Sequence, residues 1–157
     1  MVQASLHETI GCRILMDITG IEEKLNNAEL DPRAKKTIAA GLKETKEARR
    51  EIPEVSMETF KTIMPLNELH RRVLGFQAAL CKTQGHSPLI LWQSPLWDQA
   101  NILDDPPKQS SPKVAVHLMR KEYRAGCFSI SNASGKHETA RITIAGLPGG
   151  VNPGYIT

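Results

Sequence analysis

The feature that most constrains this chain is a stripe of large aliphatic residues close to its start. The stripe recurs every three or four residues and consists of Leu6, Ile10, Ile14, Ile18, Ile21 and Leu25. This spacing places all of these side chains on one flank of an amphipathic α-helix. The flank must be covered, because each large apolar side chain left in water forgoes about 1.5–3 kcal/mol of stabilisation.

The next predicted helix offers little apolar surface to cover that stripe. Asp31 is a suitable N-cap residue, Pro32 suits the first helical position, and Pro53 ends the segment. The helix is mostly Lys, Arg and Glu outside a thin apolar face, which is typical of a surface helix or a coiled coil. We therefore predict a helical hairpin over residues 1–53. Its aliphatic stripe packs either on the rest of the domain or on another chain, and we favour the second, a homo-oligomer interface.

The rest of the chain predicts an α+β domain. Two further helical segments lie between Pro53 and Gly85, which makes four helical pieces in all. Beyond Gly85 the apolar period changes to that of strands and predicts a small, mainly antiparallel four-stranded sheet. The expected strands are residues 89–92, 113–123, 127–131 and 140–144. We place this domain at residues 54–147 and a flexible Gly- and Pro-rich tail at 148–157.

The charged residues are nearly balanced but leave room for a nucleic-acid partner. The chain carries 20 Lys and Arg against 17 Asp and Glu, a formal net charge of +3. Basic side chains on one predicted helix, and on or beside the predicted sheet, form a phosphate-contacting set if helix and sheet adjoin. The set is Arg71, Arg72, Lys113, Arg120, Lys121, Arg124, Lys136 and Arg141. With only 4% aromatic residues, duplex backbone binding is favoured over stacking on unpaired bases.

A second candidate contact surface lies beside a long loop rich in Pro and Ser, residues 98–113. Aromatic side chains anchor many protein interfaces, and packing in the core is the alternative role for such residues. The candidate partner-binding residues are Trp92, Leu96 and Trp97.

Catalytic, cofactor and metal motifs are absent from the sequence. There is no G-x-S-x-G, G-x-G-x-x-G, H-E-x-x-H or C-x-x-C pattern. Gly135-Lys136 lacks the remaining residues of a phosphate loop and is better explained as a hairpin turn. Cys81, His86 and His70 have no second ligand pair of the kind that zinc sites use. We predict no catalytic residue, no metal and no cofactor.

The three cysteines are isolated along the chain. This pattern favours a reducing compartment, and we expect the cytoplasm or the nucleus. No apolar run approaches the ~20 residues that span a bilayer, so we expect no membrane partner. Cys127 with His117 or His137 is the pairing to inspect for a nucleophile, although a half-buried Cys beside solvent-facing histidines is favoured.

A short part of the sequence resembles a viral family. The stretch Phe76-Gln77-Ala78-Ala79-Leu80, with Ser87-Pro88 before a strand and a late hairpin around Gly135-Lys136, is similar to the interferon-inhibitory domain of the filovirus polymerase cofactor. That domain also places helices before a small sheet, downstream of an oligomerising coil. The chain departs from it by lacking a segment between the second and third strands, where that family carries much of its basic cluster. We do not assign the chain to that family.

Together these patterns predict a non-enzymatic, self-associating interaction or assembly protein. The helical half drives self-association, and the β-rich half binds another protein. A clean monomer in light scattering would contradict this prediction. The alternative is a protein that binds the backbone of duplex RNA or DNA, for example a viral regulatory or replication accessory factor. A Cys-dependent enzyme is the second alternative.

Overall fold

The computed structural model describes residues 2–52, 55–56, 58, 60–94, 101–108, 117, 119, 125–143, 145–146 and 150–151. Within these ranges the chain forms three α-helices followed by one sheet of two antiparallel strands. The elements are α1 (Val2–Asn27), α2 (Pro32–Ala48), a 3-10 turn (Arg49–Glu51), α3 (Glu68–Thr83), β1 (Leu89–Trp92) and β2 (Ser129–Asn132).

Side-chain caps fix where α2 and α3 begin. The Asp31 carboxylate accepts hydrogen bonds from the backbone N–H groups of Arg33 and Ala34 at 2.9 and 3.1 Å. The prediction of this cap is confirmed. The Asn67 side-chain oxygen accepts in the same way from the backbone N–H of His70 at 2.8 Å. Each cap satisfies N–H groups that have no partner inside their own helix.

The core lies where α1 meets α2, α3 and a loop segment. Ile14, Ile18 and Ile21 of the aliphatic stripe are wholly buried, Ile10 and Leu25 are nearly so, and Leu6 packs at the edge. The residues that share this core with the stripe are Ile38, Leu42, Ile52, Val73, Leu80 and Leu103. The stripe is therefore covered by three separate parts of its own chain.

Two glycines allow neighbouring elements to approach closely. A Cβ atom on Gly41 would lie 2.4 Å from the ring of Phe76, so α3 packs its aromatic side chain directly on the backbone of α2. A Cβ atom on Gly20 would lie 3.0 Å from a methyl carbon of Leu103. The loop that carries Leu103 is thus seated against the backbone of α1.

The two strands pair in a short antiparallel ladder beside α3. Leu91 lies opposite Ile130, and Trp92 lies opposite Ser129. The backbone N–H of Ala133 donates to the carbonyl of Pro88 at 2.8 Å and continues the pairing by one residue. Ala133 is buried, so the end of the ladder is fixed against the rest of the protein.

The prediction of four helical pieces and a four-stranded sheet is wrong. The third helical piece is absent from described residues 60–66, and residues 137–143 form no strand although they alternate. An alternating pattern makes a strand only where a neighbour supplies hydrogen bonds, and Ile142 remains 57% exposed. Most of the strand predicted at 113–123, and the tail beyond residue 151, lie outside the described residues. The coarser prediction, a chain that combines helices with a small sheet, is confirmed.

Candidate functional site

The turn that follows β2 is held rigid by its own side chains. The Asn132 amide donates to the carbonyl of Lys136 at 2.7 Å, and its oxygen accepts from the backbone N–H of Ser134 at 2.9 Å. Gly135 adopts a φ of 72°, which glycine tolerates without strain. The turn therefore presents the exposed side chain of Lys136 from a fixed backbone.

The N-terminal half of α3 presents two exposed arginines to solvent. The guanidinium of Arg71 lies 2.8 Å from the carboxylate of Glu68, and that of Arg72 lies 3.5 Å from the carboxylate of Glu44. All four side chains are more than half exposed. Ion pairs this exposed contribute about 0–1 kcal/mol, so a stronger anionic partner can displace them.

Helix α3 and the turn border a common cleft. Arg71 and Lys136 both line this cleft, which has a volume of about 300 Å³. His137 and Glu138 also line it, so the basic character is partly offset by one carboxylate. The condition for the phosphate-contacting set, that the helix and the sheet region adjoin, is met at these two basic residues.

A larger groove continues from the cleft along α3. It has a volume of about 810 Å³ and shares Arg71 and Gly135 with the cleft. Arg72 also lines it together with Phe76, and Glu51 and Glu68 contribute two carboxylates that offset the two arginines. The cleft and the groove together give α3 a continuous surface that carries both arginines.

The other members of the predicted basic set are placed as follows. Arg141 is exposed beyond the turn, and it lines neither the cleft nor the groove in the described part of the chain. Lys113, Arg120, Lys121 and Arg124 lie outside the described residues. The structure thus brings together Arg71, Arg72 and Lys136.

The predicted oligomer interface lies inside the protein. Of the stripe Leu6, Ile10, Ile14, Ile18, Ile21 and Leu25, every residue except Leu6 is at most 3% exposed. The prediction favoured a second chain over the rest of the domain because α2 is polar, whereas α2, α3 and Leu103 cover the stripe together. The reason for assigning this flank to a contact between chains is therefore removed.

The predicted partner-binding patch is described only at Trp92. Its ring is half-buried, and the indole N–H donates to the Ser131 hydroxyl at 2.9 Å. Leu96 and Trp97 lie outside the described residues. Trp92 is therefore a residue of β1 whose ring is hydrogen-bonded to β2. The patch as a whole stays a prediction.

The candidate nucleophile is not assembled with a base. The Cys127 sulfur lies 3.4 Å from the Ser94 hydroxyl, and no hydrogen bond joins it to His117 or His137 among the described residues. Burial raises the pKa of the Cys81 thiol, which keeps that sulfur protonated at neutral pH. In the described part of the chain, no three metal-ligating side chains come together.

The sequence did not predict one feature of the structure, a buried ionic cluster between α1 and α3. The Asp17 carboxylate lies 2.9 Å from the guanidinium of Arg13 and 2.8 Å from the Nε2 atom of His70, whose side chain is wholly buried. The backbone N–H of Leu66 donates to His70 Nδ1 at 3.2 Å, which assigns the ring proton to Nε2 as a donor to Asp17. Because both ring nitrogens are committed, this pair holds α3 to α1 rather than serving as a base.

A second polar cluster attaches the loop of residues 101–108 to the helices. The Lys24 ammonium donates to the carbonyl of Leu103 and pairs with the Asp105 carboxylate at 2.7 Å. The Gln77 amide donates to the same two groups at 3.2 and 3.1 Å. Sequence reasoning missed this contact because the partners are far apart along the chain.

Comparison with models of protein families, with curated proteins and with solved structures finds no match for this chain. Among the described residues, no helix is long and apolar enough to cross a membrane.

Proposed function

We propose that this chain is a non-catalytic binding protein that contacts the sugar-phosphate backbone of duplex nucleic acid through α3 and the turn after β2. The observation that carries the proposal is that Arg71 and Lys136, from distant parts of the sequence, line one cleft. Arg72 extends the same surface into the adjoining groove.

The chemistry of these side chains suits phosphate. An arginine guanidinium offers a planar fork of donors that matches phosphate oxygens, and a lysine adds a point charge. Among the described residues, both arginines are engaged only in exposed ion pairs, which phosphate can replace. The hydrogen bonds of Asn132 fix the backbone that carries Lys136, which lowers the entropy lost on association.

The cleft favours the backbone over the bases. The described lining of the cleft contains no Phe, Tyr or Trp, and the ring of Phe76 in the adjoining groove packs on Gly41 of α2. Stacking on unpaired bases is therefore disfavoured. A surface that contacts only phosphates binds many sequences with similar affinity. We therefore expect weak dependence on sequence and strong dependence on salt.

Fluorescence anisotropy with a labelled 20-base-pair duplex, as RNA and as DNA, tests the proposal. We expect R71A/K136A to bind about tenfold more weakly at 50 mM salt. The slope of log affinity against log salt should fall by about 2, since each phosphate contact contributes about 0.9.

The matched control is R33A/K36A, which removes the same charge from exposed positions near the start of α2. Neither residue lines the cleft or the groove in the described part of the chain. The control should retain the affinity of the unmodified protein, apart from a small effect of net charge. Equal losses in both double variants, or no loss in R71A/K136A, would contradict the proposal.

Self-association, the first prediction from the sequence, is separate from this proposal. With the α1 stripe in the core, that prediction no longer has an assigned surface. It stays a prediction, to be tested by the mass of the protein in solution.

A further inference from the structure

The first turn of α3 is closed by two reciprocal hydrogen bonds. The Asn67 side chain accepts from the backbone N–H of His70 at 2.8 Å, and the His70 ring accepts from the backbone N–H of Leu66 at 3.2 Å. The arrangement resembles a capping box, in which a Glu or Gln at the third helical position reaches back to the start of the helix. Here the residue that reaches back is a histidine, and one proton converts its acceptor nitrogen into a donor.

The contacts of the His70 ring show where that proton has to go. The N–H of Leu66 can only donate, so Nδ1 carries no proton, while Nε2 donates to the Asp17 carboxylate at 2.8 Å. The side chain is wholly buried, and burial lowers the pKa of His70, so the ring is neutral at pH 7. A second proton can bind only at Nδ1, where it points at the N–H of Leu66.

The residues that precede Leu66 have few other attachments. Residues 61–65 belong to no helix or strand and are all exposed, and among the described residues they make no hydrogen bond. The side chains of Phe60 and Leu66 pack at the edge of the core. The bond from Leu66 to His70 is thus the hydrogen bond that attaches this segment, residues 61–66, to α3.

The charges that act on the ring come from α1. Asp17 favours the protonated ring, whereas Arg13, which lies 2.9 Å from the same carboxylate, disfavours it. On α3 itself, Glu68 and Arg71 are exposed and pair with each other at 2.8 Å. The segment adds the exposed Lys61. In the described part of the chain, no charged side chain of α2 is bonded to the ring or to its carboxylate partner.

We propose that His70 is a proton switch that controls the attachment of residues 61–66 to α3. At neutral pH, Nδ1 accepts from Leu66 and the segment is attached. At lower pH, Nδ1 takes up a proton from water, two N–H groups face each other, and Leu66 moves away. The bond from Nε2 to Asp17 is kept and becomes an ion pair, so α3 stays docked on α1.

The release changes the surface beside Arg71. A further groove of about 530 Å³ is lined by Arg71 together with Ile63, Met64 and Leu66 of the segment. When the segment leaves, one wall of this groove is lost and the edge of the core near Leu66 is uncovered. The switch thus makes the shape of this surface depend on acidity, whether or not the adjoining cleft binds nucleic acid.

The size of the response follows from the proton affinities of the two states. In the attached state, the N–H of Leu66 blocks Nδ1. In the released state, Nδ1 is open to water, and an unhindered histidine takes up a proton near pH 6.5. The ratio of released to attached protein should therefore rise by up to about tenfold for each unit that the pH falls below 6.5.

Amide hydrogen exchange and ¹H–¹⁵N spectra of the whole protein between pH 7.5 and 5 test the switch. We expect the Leu66 amide resonance to shift with the same midpoint as the His70 ring resonances. The protection factor of Leu66 should fall by up to about tenfold per pH unit below pH 6.5. The amide of the wholly buried Leu80 in α3 should stay better protected at each pH, because the helix remains folded.

Two variants of His70 separate the roles of its two nitrogens. H70N keeps an acceptor at the position of Nδ1 and takes up no proton, so Leu66 should stay protected at every pH. H70Q keeps a donor at the position of Nε2 but has no acceptor near Leu66. Its Leu66 protection should be about fivefold lower already at pH 7, the effect of one lost neutral hydrogen bond. H137Q changes an exposed histidine and should respond to pH like the unmodified protein.

A Leu66 amide that keeps its position and protection while the His70 ring titrates would overturn the proposal. The same holds for a His70 ring that stays neutral down to pH 5, or for a pH response of Leu66 that persists in H70N. Protection lost to the same level at Leu66 and Leu80 would show unfolding of the whole helix instead. If neither His70 variant folds, the midpoints of Leu66 and His70 in the unmodified protein decide.

Discussion

In the helical region, residues 2–83, aliphatic side chains from all three helices are sheltered from water, whereas beyond residue 88 several large apolar side chains are exposed. Ile14, Ile18 and Leu42 are wholly buried, but Ile130 and Ile142 are 40% and 57% exposed. The sheet contributes a ladder of only four residue pairs. Among the described residues, the helices therefore supply most of the buried apolar side chains, and the later segments add Ile90, Leu103 and Ala133.

Two of these later residues also mark where the candidate sites lie. Leu103 inserts beside Gly20 of α1, and Ala133 is buried next to the end of the ladder. The cleft lined by Arg71 and Lys136, and a second cavity lined by Trp92, both lie where α3 meets the segments after residue 88. Binding surfaces often have this arrangement, in which a helix forms one wall and loops form the opposite wall.

The largest expected effect comes from a change in the helical core. I18A should lower the free energy of unfolding by about 2–5 kcal/mol, because Ile18 is wholly buried and the lost volume leaves a cavity. The matched change I142A, at a 57% exposed position, should alter it by less than about 0.5 kcal/mol. Urea unfolding followed by circular dichroism measures both. Similar losses in the two variants would mean that both regions contribute equally to the core.

We expect pH to have a smaller effect on the free energy of unfolding. It acts through the buried Asp17–His70 pair that joins α3 to α1. Burial is the main cause that lowers the pKa of His70, and it outweighs the opposing effect of the hydrogen bond that His70 donates to Asp17. In the unfolded chain this histidine takes up a proton near pH 6.5, while the folded chain resists it. The free energy of unfolding should therefore fall as pH falls from about 7 to 5, by at most about 1.4 kcal/mol per pH unit.

The controls for this pH dependence are two single variants. H70Q should be less stable than the unmodified protein at pH 7 and should lose most of the slope between pH 5 and 7. H137Q changes an exposed histidine and should keep the slope. A slope that survives in H70Q would show that other groups cause the pH dependence.

The local features of the helices follow from the sequence, whereas the partners of each surface do not. Asp31 with Pro32 predicts the start of α2, and the spacing of the aliphatic stripe predicts both α1 and its buried flank. The cover of that flank includes Leu103, whose position depends on a loop with no periodic pattern. For this reason the sequence predicts that the stripe contacts a second chain, whereas in the structure a loop of the same chain helps to cover it.

In the candidate site, too, the sequence predicts the character of single residues but not which residues come together. The sequence identifies Arg71 and Lys136 as basic and exposed, but only the fold brings them to one cleft. The Asp17–His70 pair had a visible signal, since Asp17 lies between Ile14 and Ile18 on the buried side of α1. A charged residue on such a flank needs a partner, and the identity of that partner depends on how α3 docks.

The smallest expected effect is on the stability of R71A/K136A. Both side chains are exposed, and the pair between Arg71 and Glu68 is open to solvent, so the free energy of unfolding should change by less than about 0.5 kcal/mol. The same variant is expected to lose nucleic-acid affinity. Urea unfolding beside the anisotropy measurement separates the two roles, because a binding surface on a stable helical scaffold can lose its ligand without loss of folding. A loss of stability comparable to that of I18A would instead make these residues part of the fold.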